Sequence, residues 1–186
     1  MNKYKVILLG SYFVGKTSIT NKYIYNTFSN ATYTTIGASY YSKQMTLNNI
    51  NVVVEYWDTC SNERYAPIIP MFYKNTDVAI IVYDVTSVGS FNKCIKSIED
   101  IRRHIEDVKI ILVGNKIDLE REIKTKDGQL FANHHGVMFK ECSAATGEGV
   151  KELFELVHET IKPMVTEKVK TNNIVLHAEK KQSCCF

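Results

Sequence analysis

The feature that constrains this chain most is a glycine-bounded loop between an apolar segment and a polar one. Residues 10–17, Gly-Ser-Tyr-Phe-Val-Gly-Lys-Thr, fit the pattern G-x-x-x-x-G-K-[ST]. The nearly continuous apolar run at 3–9 predicts a strand buried on both faces, and a helix is expected from Lys16. Since strand, tight loop and helix in this order form the first half of a βαβ unit, an α/β fold is expected.

The rest of the chain repeats the order of strand and helix, which predicts a mostly parallel sheet with helices on both faces. One interval differs, because the strand-like segments 39–46 and 52–57 flank the turn-prone pair Asn48 and Asn49 and predict a hairpin. The expected fold is therefore a three-layer α/β fold with six strands, one of them antiparallel at an edge, and about five helices. The other predicted elements are strands at 78–83, 109–113 and 137–141 and helices near 90–105, 125–133 and 148–161.

Length and composition indicate one globular domain. The 186 residues are 45% apolar and 23% charged, which is enough for a single core. A net charge of +3 is too small for a dedicated nucleic-acid binder, and no segment approaches the roughly 20 apolar residues of a membrane span. Pro163 is expected to close the last helix. The polar, lysine-bearing sequence beyond it predicts a folded, ligand-binding domain over 1–165 and a flexible tail over 166–186.

Residues 10–17, the phosphate loop, have the chemistry of a phosphate site. Successive backbone N–H groups form a concave anion site, which the helix N-terminus strengthens. Lys16 would reach the outer phosphates, and the Thr17 hydroxyl would bind Mg²⁺. A glycine-bracketed turn with a chance lysine is the alternative. The expected nucleotide-binding residues here are Ser11, Tyr12, Phe13, Val14, Gly15, Lys16, Thr17 and Ser18.

The segment Asn115-Lys116-Ile117-Asp118 follows a predicted strand and bears on the choice of base. A carboxylate only accepts hydrogen bonds, so Asp118 favours guanine, whose N1 and N2 both donate, over adenine. Hydrogen-bonded sites can discriminate by about 10⁴–10⁵ in this way. The alternative is a turn with a surface aspartate.

Two further positions would complete a guanine site. The small residues Ser143, Ala144 and Ala145 would let a backbone amide approach the guanine O6. Phe28 is either a core aromatic or a ring that stacks on the base.

In this order the motifs resemble those of the small GTPases and, among them, the Rab family, over Lys3 to about Ile161. The segments 35–40 and 63–73 are most similar to the endocytic branch. The motifs that carry the resemblance are the phosphate loop, Thr35-Ile36-Gly37, Trp57-Asp58-Thr59, Asn115-Lys116-Ile117-Asp118 and Ser143-Ala144-Ala145.

The resemblance implies a GTP/GDP switch in vesicular, endocytic membrane traffic. It implies that Thr35 ligates Mg²⁺ and covers the γ-phosphate, that Asp58 holds the metal through water, and that Phe28 stacks on guanine. The segments around Thr35 and over 58–73 would reorganise on hydrolysis. Effectors, an exchange factor and an activating protein would bind these segments; we expect a monomer and no nucleic-acid partner.

The chain departs from the family at the second switch, where Asp-x-x-Gly-Gln is replaced by Asp58-Thr59-Cys60-Ser61-Asn62. Ser61 keeps the backbone N–H that meets the γ-phosphate but loses the conformational freedom of glycine. Asn62 carries the water-orienting amide on a side chain one methylene shorter, and such a misplacement can cost on the order of 10² in rate. With Asn62 and Lys16 as catalytic residues, slow hydrolysis is expected.

Tyr12 and Phe13 stand where the family has small residues. Their bulk would hinder the attacking water or an arginine finger, unless both rings point outward and only their backbone N–H groups act. A GTP-binding module that scarcely hydrolyses GTP and is controlled by exchange or abundance is therefore a second candidate function. A kinase or ATPase is disfavoured by Asp118 and by a chain too short for a lid or acceptor domain.

The last residues, Ser183-Cys184-Cys185-Phe186, resemble the double-cysteine ends of Rabs that receive two geranylgeranyl groups. Two lipid chains anchor stably where one is marginal, and Lys180 and Lys181 would add attraction to an anionic leaflet. Unmodified cysteines are the alternative. We therefore expect a cytoplasmic protein attached reversibly to the cytosolic face of an endosomal or vesicular membrane.

Overall fold

A six-stranded sheet forms the centre of the protein, whose computed structural model describes residues 1–29, 35–60 and 69–182. The strands are β1 (Asn2–Gly10), β2 (Ala38–Leu47), β3 (Ile50–Thr59), β4 (Val78–Asp84), β5 (Lys109–Asn115) and β6 (Met138–Cys142). Their spatial order is β2-β3-β1-β4-β5-β6. Five strands are parallel, and β2 pairs antiparallel with β3 at the edge. The predicted fold class is confirmed.

Helices cover both faces of the sheet. They are α1 (Lys16–Tyr25), α2 (Ile69–Tyr73), α3 (Val88–Asn92), α4 (Cys94–His104), α5 (Thr125–His135) and α6 (Val150–Gln182). Within the described ranges, none of them has the length and apolar character needed to cross a bilayer.

The core has two halves because successive side chains of a strand point to opposite faces. Val6 and Leu8 of β1 belong to the half that packs against α1 and α6. Ile7 and Leu9 belong to the half that packs against α2, α4 and α5. The near-continuous apolar run of β1 is thus buried on both sides, as expected for a central parallel strand.

The hairpin turn has the predicted position. Asn48 and Asn49 have φ angles of 50° and 61°, the left-handed values that a two-residue turn of this kind requires. The Asn48 Nδ2 also donates to the Lys162 carbonyl oxygen of α6 at 3.0 Å, which fixes the hairpin tip against that helix.

Two predictions about the helices need correction, and one short helix was not predicted. The helix expected near 90–105 is divided at Lys93 into α3 and α4, and the short helix α2 was not predicted. Pro163 does not close the last helix, because α6 continues through it to Gln182. Ile161 and Val165 flank this proline and are fully buried, and roughly 1.5–3 kcal/mol per side chain offsets the hydrogen bond that proline removes.

The phosphate loop passes close to two neighbouring strands. A Cβ on Gly10 would lie 2.2 Å from the Val82 carbonyl oxygen of β4, and one on Gly15 would lie 2.3 Å from the Asn115 Nδ2. Only glycine permits these approaches. Between them, Phe13 has a φ of 62°, a left-handed conformation that is rare for a bulky side chain.

Replacing Phe13 by glycine is therefore expected to leave a more stable protein than replacing it by alanine. Both changes remove the ring and its contact with Tyr12, at 3.9 Å between centroids, but only glycine adopts this φ without strain. After glycine's larger unfolded-state entropy is subtracted, about 0.5–1 kcal/mol should remain in favour of Phe13→Gly. Urea unfolding of the two variants at one nucleotide concentration measures this difference; an alanine variant of equal or greater stability would contradict the strained conformation.

Candidate nucleotide site

An open pocket of about 650 Å³ lies at the carboxyl edge of the sheet. This volume is in the usual range for sites that bind small ligands and cofactors. The site residues predicted from the sequence that line it are Tyr12, Phe13, Gly15, Lys16, Thr17, Ser18, Phe28, Thr35, Asn115, Lys116, Asp118, Ala144 and Ala145. Motifs that lie far apart in the chain are thus brought together at one edge, as the parallel topology requires.

Other predicted residues lie behind the pocket wall or outside the described part. The side chains of Val14, Asp58 and Ser143 are buried beneath the wall, and Ser11 is part of the loop backbone without lining the pocket. Ser61, Asn62, Cys184 and Cys185 lie outside the described residues, so their roles stay predictions.

Sequence reasoning missed six lining residues: Asn21, Thr27, Ser29, Thr59, Cys60 and Leu119. Most adjoin a motif residue in the chain, which is the one signal that could have found them. The segments that contain Thr35 and Asp58 meet at Cys60, whose backbone N–H donates to the Gly37 carbonyl oxygen at 2.8 Å.

Lys16 brings a cation to the phosphate end of the pocket. Only 7% of the residue is exposed, and its Nζ donates to the carbonyl oxygens of Gly10 at 3.3 Å and Ser11 at 3.2 Å. Burial lowers the pKa of Lys16 to about 8, although the Asp58 carboxylate partly opposes the shift. An anionic ligand would favour the charged form of this lysine.

Three side-chain oxygen groups cluster beside Lys16. The Thr17 hydroxyl donates to Asp58 Oδ2 at 2.6 Å and lies 2.9 Å from the Thr35 hydroxyl. Asp58 Oδ1 is buried and has no hydrogen-bond partner among residues 1–29, 35–60 and 69–182. Burial also raises the pKa of Asp58, against the opposing effects of Thr17 and Lys16. Hydroxyl and carboxylate oxygens around an unsatisfied buried acceptor fit a hard divalent cation such as Mg²⁺.

Asn115 connects the two ends of the pocket. It is 1% exposed, its Nδ2 donates to the Val14 carbonyl oxygen at 2.8 Å, and its Oδ1 accepts from the Ala144 backbone N–H at 3.1 Å. Nearby, the Ser143 hydroxyl donates to Asp118 Oδ1 at 2.5 Å, which orients the carboxylate at the pocket wall.

The aromatic side chains lie on the pocket wall and rim. Phe28 is 41% exposed and lines the pocket, so the alternative of a buried core aromatic is wrong. The rings of Tyr12 and Phe13 are partly exposed at the rim and pack edge to face. Both residues line the pocket, and the outward orientation of their rings stays an open alternative.

Comparison with known proteins agrees with this site. A family model described as the Ras family matches residues 5–163. The Ras-related protein Rab-5A of Dictyostelium discoideum is 33% identical over 192 residues, which cover 98% of this chain and 96% of that relative. Both similarities include the phosphate loop and every segment that lines the pocket. The chain belongs to the Ras superfamily of small GTPases and is of the Rab type.

Proposed function

We propose that this Rab-type GTPase is a GTP/GDP switch in endocytic vesicle traffic and that it hydrolyses GTP slowly. Its family supports binding and hydrolysis of GTP in general. The observation that carries the proposal for this chain is the pocket that has buried Lys16 at one end and Asp118 at the other. The endocytic assignment rests on segments 35–40 and 63–73 and on the similarity to a Rab-5A.

The chemistry of the pocket indicates how the nucleotide would bind. Backbone N–H groups of the phosphate loop and the Lys16 ammonium would hold the phosphates. The Asp118 carboxylate would accept from guanine N1 and N2, and the Ala144–Ala145 backbone would approach O6. The exposed Phe28 ring would lie against the face of the base.

Thr17 and Thr35 would ligate Mg²⁺ through their hydroxyls, and Asp58 would hold the metal through water, in keeping with its unsatisfied Oδ1. When bound, the metal supplies positive charge that neutralises the phosphoryl oxygens. Lys16 adds a second positive charge at the same end of the pocket, and the loops around Thr35 would order when this shell is complete.

Hydrolysis would proceed by in-line attack of water on the γ-phosphorus, with loss of GDP as the leaving group. The Ser61 backbone N–H would donate to a γ-phosphate oxygen, and the short Asn62 side chain would orient the water poorly. The aromatic rim of Tyr12 and Phe13 would further restrict the space for this water and for a partner's arginine.

On the membrane side, we propose two geranylgeranyl groups on Cys184 and Cys185, which mass spectrometry of the natively expressed protein would detect. Such attachment would place the switch on the cytosolic face of an endosomal or vesicular membrane. The segments around Thr35 and over 58–73 would then bind effectors, an exchange factor and an activating protein.

Asp118→Ala is expected to remove most of the preference for guanine. Calorimetry with GDP and ADP in Mg²⁺ should give the unaltered protein a preference of about 10⁴ or more for GDP. The variant should lose at least about 100-fold of GDP affinity because two guanine donors lose their acceptor, whereas ADP binding should not change. Asp107→Ala, at an exposed aspartate remote from the pocket, is the matched control. Equal binding of GDP and ADP by the unaltered protein would refute the proposed function.

Asn62→Gln is expected to accelerate hydrolysis, because the longer side chain carries its amide to the attacking water. Single-turnover release of γ-phosphate should rise by up to about 100-fold, and exposed Asn92→Gln should leave it unchanged. An unchanged rate in Asn62→Gln would contradict the explanation for slow hydrolysis. GTP binding without phosphate release in either protein would favour the second candidate, a binding module controlled by exchange or abundance.

A further inference from the structure

We propose that Asp84, at the end of β4, is a positioning residue of the nucleotide site that acts through Lys116. The inference rests on the proposed function, because it concerns the affinity of the same pocket for guanine nucleotides. Asp84 does not line the pocket, whereas Lys116 does. Asp84 would therefore act on a bound nucleotide only through Lys116.

The sheet places Asp84 beside the guanine-selecting segment. Asp84 is the last residue of β4 and lies opposite Asn115 in the parallel register of β4 and β5. The Val85 backbone N–H donates to the Asn115 carbonyl oxygen at 3.0 Å, which continues the pairing beyond the strand. Because Lys116 directly follows Asn115, this pairing places the backbone of Lys116 close to Asp84.

A short ion pair joins the two residues. The Lys116 Nζ lies 2.6 Å from Asp84 Oδ2, with the side chains 32% and 11% exposed. A partly buried pair of this kind is screened less than a surface pair, so the attraction holds the ammonium more firmly. The ammonium group at the end of the Lys116 side chain is thus fixed by the Asp84 carboxylate.

The carboxylate itself is held in place. Its other oxygen, Oδ1, accepts from the Thr86 backbone N–H at 2.9 Å and from the Thr86 hydroxyl at 2.7 Å. The Asp84 backbone N–H donates to the Ser90 hydroxyl oxygen at 3.0 Å. Asp84 therefore has protein partners for both carboxylate oxygens, unlike Asp58, and is arranged as an anchor for Lys116 and not as a metal ligand.

Lys116 needs such an anchor. Its backbone has a φ of 69°, in the left-handed region that few residues other than glycine adopt. A strained conformation of this kind persists only where the surroundings determine it. Without Asp84, the ammonium would be free to turn toward Asp118, two residues away in the chain, and would compete with guanine for that carboxylate.

The protein contains a matched ion pair outside the pocket. Arg121 Nη1 lies 3.0 Å from Glu141 Oε1, with the side chains 31% and 14% exposed, and the Thr125 hydroxyl donates to Glu141 Oε2 at 2.9 Å. Burial, distance and the supporting threonine are thus close to those of Asp84 and Lys116. Neither Arg121 nor Glu141 lines the pocket. Glu141→Gln therefore reports what loss of an ion pair does to stability alone.

The test is a double-mutant cycle on GDP affinity, measured by calorimetry on the full chain with Mg²⁺. Asp84→Asn should weaken GDP binding by roughly 10- to 100-fold. In a Lys116→Ala background the same change should have no further effect, because its route is gone. Thr86→Val, which removes one support of the carboxylate and keeps the ion pair, should show a smaller loss with the same dependence on Lys116. Glu141→Gln should lower the urea midpoint but leave GDP affinity within about twofold.

Additive losses for Asp84→Asn and Lys116→Ala would overturn the inference while the proposed function stood. So would an equal loss of GDP affinity in Glu141→Gln, since the effect would then be one of stability alone. If Asp84→Asn did not fold, the Thr86→Val cycle would decide the question by the same criterion. Failure of the unaltered protein to bind GDP would instead refute the proposed function, and this inference with it.

Discussion

The nucleotide site depends on the hydrogen bonds of one buried amide, that of Asn115. Its nitrogen donates to the phosphate loop at Val14 and its oxygen accepts from the backbone N–H of Ala144. Three loops from different parts of the chain are thereby held at fixed separations. A buried amide with both ends satisfied is stabilising, whereas a half-satisfied one is costly. The close approach of this side chain to Gly15 shows why a glycine is needed there.

Around this connection, each charged group of the pocket is oriented by protein partners. Lys16 is held by loop carbonyls, Asp118 by the Ser143 hydroxyl and Lys116 by Asp84. Side chains fixed in this way lose little further conformational freedom when a ligand binds, so more of the interaction energy remains for affinity. Asp58 is held at one carboxylate oxygen by the Thr17 hydroxyl, whereas its other oxygen has no hydrogen-bond partner among the residues that the structure describes.

The fold and most of the pocket could be predicted because their signals are local. The apolar run of β1, the paired asparagines of the hairpin and the motif loops each carry their information within a few residues. The helix end predicted at Pro163 is wrong because the burial of Ile161 and Val165 outweighs the local helix-stop signal of a proline. Asp84 could not be predicted, since its contact with Lys116 follows from the register of two strands and not from any spacing in the chain.

Backbone N–H groups of the phosphate loop are proposed to bind the phosphates of the nucleotide. Amide hydrogen exchange of the full chain, with and without GDP and Mg²⁺, measures this most directly. Exchange should slow at least about tenfold at residues 13–18 and at 144–145, while the exposed turn at 106–107 is unaffected. Nucleotide binding that leaves the amides of residues 13–18 exchanging at their original rates would contradict it.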